Sequence, residues 1–294
     1  MEEQNKKIYP VLVLRGRVMF PQILSLFDVG RKMSLYAVEK SIKDLNGEIF
    51  VVTQKDSRDD NPTIDEINFT GVICKIVKMV NVSDKNVRLQ LKGIERGVAL
   101  SVYQDEGKNY YLATVTESPD IIKAPIEEKA CYQIAMGKFK DYISANGKFS
   151  EGNVETVYGI EDYSEFVNVV AFNLPIKESE KQKILQTVVL ADRLEALAKA
   201  LNDLVESNRI EQMISRRVKK NVEESQKEYY LREQLKAIHE ELGDDQSEIE
   251  SLREKVKAKK IPEEDEEKVF KELDRMSRMS ASSPDYAVLR TYVD

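Results

Sequence analysis

Thiols, imidazoles and glycine-rich phosphate loops carry most of the chemistry that a sequence can display, and this chain offers few of them. Two Cys and one His occur in 294 residues. His239 sits in Lys236-Ala237-Ile238-His239-Glu240-Glu241. Carboxylates flank it, no nucleophile does, and it reads as a solvent-facing helix residue. A Ser–Lys dyad needs no histidine, yet no serine here has neighbours that mark it as activated. Cys74 lies in the strand-like run Val72-Ile73-Cys74-Lys75-Ile76-Val77, where a thiol packs as a small hydrophobe, and Cys131 is far from it in sequence. A reduced, intracellular pair is expected rather than a disulfide. Gly147-Lys148-Phe149-Ser150-Glu151-Gly152-Asn153-Val154 has both glycines of a phosphate loop, but Asn153 and Val154 replace the required Lys and hydroxyl. It reads as a plain loop. The expectation is no catalytic, cofactor-binding or metal-ligating residue in this chain.

Binding chemistry is what remains. Gly16-Arg17-Val18-Met19-Phe20-Pro21-Gln22-Ile23-Leu24-Ser25-Leu26-Phe27 breaks the surrounding pattern. Pro21 pushes Phe20 to an extended conformation and lacks a backbone donor. Read as a loop or edge, the segment offers Met19, Phe20, Pro21 and Ile23 as an adaptable apolar contact surface. The same residues could instead close a core; exposure separates the two. Arg216-Arg217-Val218-Lys219-Lys220 is a basic cluster within a helical pattern. The formal net charge of −7 speaks against a nucleic-acid module, which relies on clustered Lys and Arg. No segment approaches the roughly 18 apolar residues of a membrane helix. A cytoplasmic location is expected.

The elements that position these residues change type along the chain. From Ile8 to about Ser118 the hydrophobic period is two: Tyr9 to Leu14, Ile49 to Thr53, Val72 to Val80, Val87 to Lys92, Val98 to Tyr103 and Tyr111 to Thr116 predict six strands of a closed or strongly curved sheet. One helix starting near Arg31 interrupts them, with Leu35, Val38 and Ile42 on one face, and should plug one end. Past Pro125 the spacing is helical. Ser179-Glu180-Lys181-Gln182 and Asp192-Arg193-Leu194-Glu195 read as capping boxes that each open a helix of a small bundle. Between Ile210 and Leu242 there is neither Gly nor Pro, predicting one long helix that Gly243 stops. Ile210, Ile214, Val218, Val222 and Tyr229 keep one face, whereas Leu231, Leu235, Ile238 and Leu242 form another. Such a helix should pack on the bundle first and on a second partner later. Two charged helices flank Ile261-Pro262, and Pro284 opens a last one that runs to Asp294 without a C-cap, as if cut off.

Several of these stretches together resemble the amino-terminal region of the Lon family, ATP-dependent bacterial serine proteases. Leu12-Val13-Leu14-Arg15-Gly16, Phe20-Pro21, Val29-Gly30-Arg31, Gly93-Ile94-Glu95-Arg96-Gly97 and Leu174-Pro175 are similar to the family's pattern. The longest match is the block from Gln226 to Gly243, and Arg290-Thr291-Tyr292-Val293-Asp294 resembles the entry into the family's ATPase domain. The resemblance implies an α+β fold: a PUA-like β pseudo-barrel lobe with one helix over residues 1–120, a helical lobe over 121–205, a long connecting helix over 206–243, and a linker with the first helices of a truncated AAA+ module over 244–294.

It further implies a non-catalytic region that recognises unfolded, damaged and short-lived regulatory proteins and organises a homohexamer. ATP and Mg²⁺ belong to the full-length parent, and the fragment alone could be a dimer or monomer. Substrate contacts are expected at Met19, Phe20, Pro21, Ile23 and Met213. Helix packing or inter-subunit contacts are expected at Tyr229, Leu231, Leu235, Ile238 and Leu242. The rival expectation is a purely structural assembly region, with substrate gripped only by ATPase pore loops outside these residues.

Overall fold

The computed structural model describes residues 6–83, 86–105, 107, 109–145, 149, 151–241, 245–259, 262–279 and 283–293. The chain divides into two compact units, Met1–Gln212 and Met213–Asp294.

In the first unit, strands β1 (Lys7–Leu14), β2 (Leu24–Val29), β3 (Glu48–Thr53), β4 (Thr70–Ser83), β5 (Asn86–Gln104) and β6 (Tyr111–Glu117) make one sheet of order β2-β5-β4-β3-β1-β6. A further β5–β6 pairing closes it into a barrel. The number of strands equals the expectation, but their identities differ. Val87–Lys92 and Val98–Tyr103 are halves of the single strand β5, which pairs with β2 through residues 87–92 and with β6 through residues 97–104. Gly93-Ile94-Glu95-Arg96-Gly97 interrupts the alternation without ending the strand, because Gly93 is a point of close approach. A Cβ there would lie 2.3 Å from the Phe20 carbonyl oxygen. The sixth strand is β2, which starts inside the segment read as a loop or edge and runs on to Val29.

β1 and β3 are buried on both faces, which explains their near-continuous apolar runs. Tyr9, Val11, Val13, Phe50 and Val52 join one hydrophobic cluster, whereas Leu12, Leu14, Ile49 and Val51 join a larger one. Helix α1 (Lys32–Asp44) packs against β1 and β3. Its buried face is Ser34, Ala37, Val38 and Ser41. Leu35 is only partly buried and Ile42 is exposed, because small side chains let the helix lie close to the strands.

The helical part comprises α2 (Pro125–Ser144), α3 (Glu151–Tyr158), α4 (Tyr163–Asn173), α5 (Glu178–Gln186) and α6 (Leu190–Glu241). Part of the glycine-containing segment read as a loop is thus the first half of α3. Neither capping box holds as expected. α5 is capped by Lys177, whose N–H donates to Glu180 Oε2 at 3.2 Å, and Asp192 lies within the first turn of α6. Phe139, Tyr142, Phe166, Leu194 and Leu197 share the larger cluster with Leu12, Met19 and Phe20, so one core runs across residue 120.

A buried polar network crosses the same seam. Asp120 pairs with Arg96 at 2.7 Å and Arg193 at 2.5 Å. Arg193 also donates to Asn168 Oδ1 at 2.6 Å, and Asn168 donates to Gln22 Oε1 at 2.8 Å. Asp120 answers two buried guanidinium groups at once, and Arg96 Nη2 and Asp120 Oδ1 make an ion pair without a hydrogen bond.

The long helix begins at Leu190, not near residue 206, and its 52 residues rise about 78 Å. This corrects its packing. Leu190, Leu194, Leu197, Leu201 and Val205 supply the buried face. Ile210, Ile214, Val218 and Val222, expected to lie on the bundle, are exposed. The bundle-facing stripe is spent one turn before Ile210 is reached.

In the second unit, α7 (Asp245–Ala258), α8 (Glu263–Met276) and α9 (Pro284–Val293) gather Ile249, Leu252, Leu273, Met276 and Tyr286 into a small core. Arg290 pairs with Glu248 at 2.5 Å.

Candidate polypeptide-binding cleft

Met19, Phe20, Pro21 and Ile23 are all buried, with Phe20 at 0% exposure. They cannot contact a polypeptide in this conformation, which corrects the surface reading. The cause is the glycine on β5. Gln22 N–H donates to the Gly93 carbonyl at 3.0 Å and Gly93 N–H donates to the Ile23 carbonyl at 2.8 Å. Gln22 takes a left-handed φ of 62° to make the turn. The backbone of residues 20–23 therefore lies directly on β5, and the apolar side chains enter the core.

Met213 is exposed, as are Tyr229, Leu231, Leu235 and Ile238 on α6. Leu242 lies outside the described residues. Both thiols are free and buried, and burial pushes them up, away from the thiolate. Among the described residues, no group of three or more His, Cys, Asp or Glu is placed to hold a metal.

A cleft of about 800 Å³ opens between β1 and β2. Sheet topology creates it. β6 covers β1 only at residues 7–10, so residues 11–14 have β3 on one side and no strand on the other. β2 pairs with β5 on one side and is the end strand of the sheet. The two uncovered edges both line the cleft, through Leu12 to Leu14 and Leu24 to Val29.

Leu24 and Leu26 are each more than half exposed, while Phe27 and Val29 are buried, giving β2 a strict alternation. Backbone direction alternates with it. The Ile23 carbonyl faces β5, whereas the Leu26 carbonyl accepts a 3.3 Å bond from Arg17 Nη1 instead. The N–H and C=O groups of Leu24, Leu26 and Asp28 therefore point away from β5.

Arg15, Arg17, Arg31 and Arg88 surround this edge. Arg15 is paired with Asp60 at 2.7 Å, and Arg88 with Asp28 at 2.6 Å, which holds the Asp28 carboxyl below its usual range. Neither Arg17 nor Arg31 is in an ion pair among the described residues. Arg31 Nη2 donates to Gln54 Oε1 at 2.8 Å, but its Nη1 is buried without a partner. Burial, with the neighbouring Arg15 charge, pushes the Arg31 guanidinium down, and Asp60 opposes the shift. The cleft thus combines an unpaired strand edge, apolar side chains and surplus positive charge. None of the four arginines stood among the expected site residues. The alternation Leu24-Ser25-Leu26-Phe27-Asp28-Val29 was the available signal for β2, and Phe20-Pro21 obscured it.

Comparison with known proteins shows the family. Residues 8–203 match the family model of the ATP-dependent protease La (LON) substrate-binding domain. Lon protease of Bacillus thuringiensis (strain Al Hakam) is 35% identical over 294 residues, covering 99% of this chain and 36% of that protein. Lon protease of Escherichia coli (strain K12) is 32% identical over 297 residues, covering 99% of this chain and 37% of that protein. The chain spans little more than a third of the length of these relatives. The N-terminal domain of Mycobacterium avium complex Lon protease shares the fold at TM-score 0.54 and 16% identity, with 67% of this chain and 99% of that one covered. The chain therefore belongs to the LON substrate-binding domain family.

Proposed function

We propose that residues 6–212 capture polypeptide substrates for a Lon-type ATP-dependent protease, without performing chemistry themselves. The match of a substrate-binding domain to residues 8–203, which contain the whole β1–β2 cleft, carries this reading. Unfolded and damaged proteins, with short-lived regulatory ones, are the substrate class. Residues 244–294 would open the ATPase module, where ATP and Mg²⁺ act, and the assembly would be a cytoplasmic homohexamer. Met213 keeps its place as an apolar contact on the exposed part of α6. Fluorescence anisotropy with labelled, unfolded casein tests the reading: saturable binding to the 294-residue chain is expected, and no binding at any protein concentration overturns it.

A second reading, assembly alone, is favoured by one observation. Tyr229, Leu231, Leu235 and Ile238 are exposed over a stretch of α6 where every described side chain is exposed. Apolar positions at that density on a helix commonly meet partner helices. Assembly through α6 can accompany capture by residues 6–212, whereas assembly alone excludes it, and saturable casein binding decides between them.

A further inference from the structure

We infer that the β1–β2 cleft takes its polypeptide by strand addition: an extended segment carrying an Asp or Glu pairs with the open edge of β2 and sets its carboxylate on the Arg17 and Arg31 side of the cleft. The inference rests on the polypeptide-binding reading above and narrows it to a mode and a substrate class.

Backbone geometry is the first ground. An unpaired edge strand is a template for another chain, and folded proteins usually blunt it with a charge, a proline or a covering loop. β2 contains no proline, and its outward groups at Leu24, Leu26 and Asp28 face a cleft rather than a covering element. The Arg17 bond to the Leu26 carbonyl is the observed blunting device, and at 3.3 Å it comes from an exposed side chain. An incoming backbone N–H can replace it, and the freed guanidinium then becomes available to a carboxylate. Opposite, residues 11–14 of β1 also lack a strand on the cleft side, so an inserted segment would stand between two incomplete edges of one barrel. Six residues of β2 offer about 20 Å of edge.

Charge selects the occupant. Two of the four arginines lining the cleft are already neutralised by Asp60 and Asp28, while Arg17 and Arg31 are not in ion pairs among the described residues. Arg31 Nη1, buried without a hydrogen-bond partner, is a donor whose desolvation is uncompensated. A carboxylate beside the exposed Arg17 is attracted by the positive charge that Arg17 and Arg31 leave unpaired among the described residues; a lysine-bearing segment is repelled. The exposed Leu24 and Leu26 side chains offer apolar contacts to alternate residues of the same segment.

Three labelled peptides of alternating valine and threonine test this by fluorescence anisotropy: one ending in two glutamates, one ending in two lysines, and the glutamate peptide N-methylated at alternate residues. The glutamate peptide should bind, and N-methylation of the pairing edge should weaken it by about tenfold or more. Leu26→Pro removes an outward N–H that β5 does not use, so it should fold and weaken the same peptide similarly. Arg17→Glu should reverse the preference between the charged peptides. Equal binding of the N-methylated peptide, which needs no protein variant, overturns strand addition. If casein binds wild type and Leu26→Pro alike, strand addition fails while polypeptide binding stands. If casein does not bind wild type, both fail. A wild-type dimer in sedimentation that Leu26→Pro dissolves would overturn the inference in favour of a second copy on the edge.

Discussion

Lys181 shows how a single residue records its surroundings. It is a surface-type residue on α5, yet its ammonium donates to the Phe172 carbonyl at 2.6 Å and lies near that ring. Burial pushes its pKa down to about 8 from the ordinary 10.5, with Glu178 opposing the shift and Arg17 adding to it. For a base whose folded pKa is lowered, the cost of burying the charge is constant below about 8. Between about 8 and 10.5 the unfolded chain holds a proton that the folded chain has released, so stability rises with pH there. Urea unfolding from pH 7.5 to about 10.5 should therefore show a rise in wild type that is missing in Lys181→Met. Parallel pH profiles for the two proteins would refute the assignment. Nothing in Ser179-Glu180-Lys181-Gln182 announces this; the shift comes from burial of the ammonium, which only the folded chain supplies.

Among the elements, the 19–23 turn and β2 were the least legible. Proline and an apolar cluster look the same in sequence whether they line a surface or a core. The difference is made by Gly93, some seventy residues downstream, whose missing side chain lets the Phe20-Pro21 backbone lie on β5. Phe20→Ala should therefore destabilise the first unit by about 3–5 kcal/mol in urea unfolding, as removal of a fully buried phenylalanine does. A cost below about 1 kcal/mol would restore Phe20 to the surface. The start of α6 was misplaced for a related reason. Asp192-Arg193-Leu194-Glu195 has the form of a cap, but Arg193 is a buried ion partner of Asp120 inside a helix already begun at Leu190.

On the scale of the whole chain, the first unit is stapled by a core and an ion network that both ignore the expected boundary at residue 120. Beyond Val205 the long helix has no such support: every described side chain from Arg209 to Ile238 is exposed. Helix segments without tertiary packing gain stability by joining other helices. Replacing Leu231, Leu235 and Ile238 together by Ser should lower the mass seen by sedimentation velocity at tens of micromolar. Each change should alter unfolding free energy by less than about 0.5 kcal/mol, since each side chain is exposed. An unchanged sedimentation profile would remove these positions from any self-association.

The order of β and α regions, the closed sheet, the long helix and the family were all legible in the sequence, because period, turn residues and long motif blocks are local properties. Contacts between distant segments were not. Which apolar residues are buried depends on what crosses them: Gly93 under Phe20, small residues of α1 against β1 and β3, Leu190 to Val205 against the helical lobe. The cleft is likewise a product of pairing lengths, since β6 covers β1 only to Pro10 and β2 covers β5 only at residues 87–92. Strand propensity is written residue by residue, but where one strand stops beside another is decided only when the barrel closes.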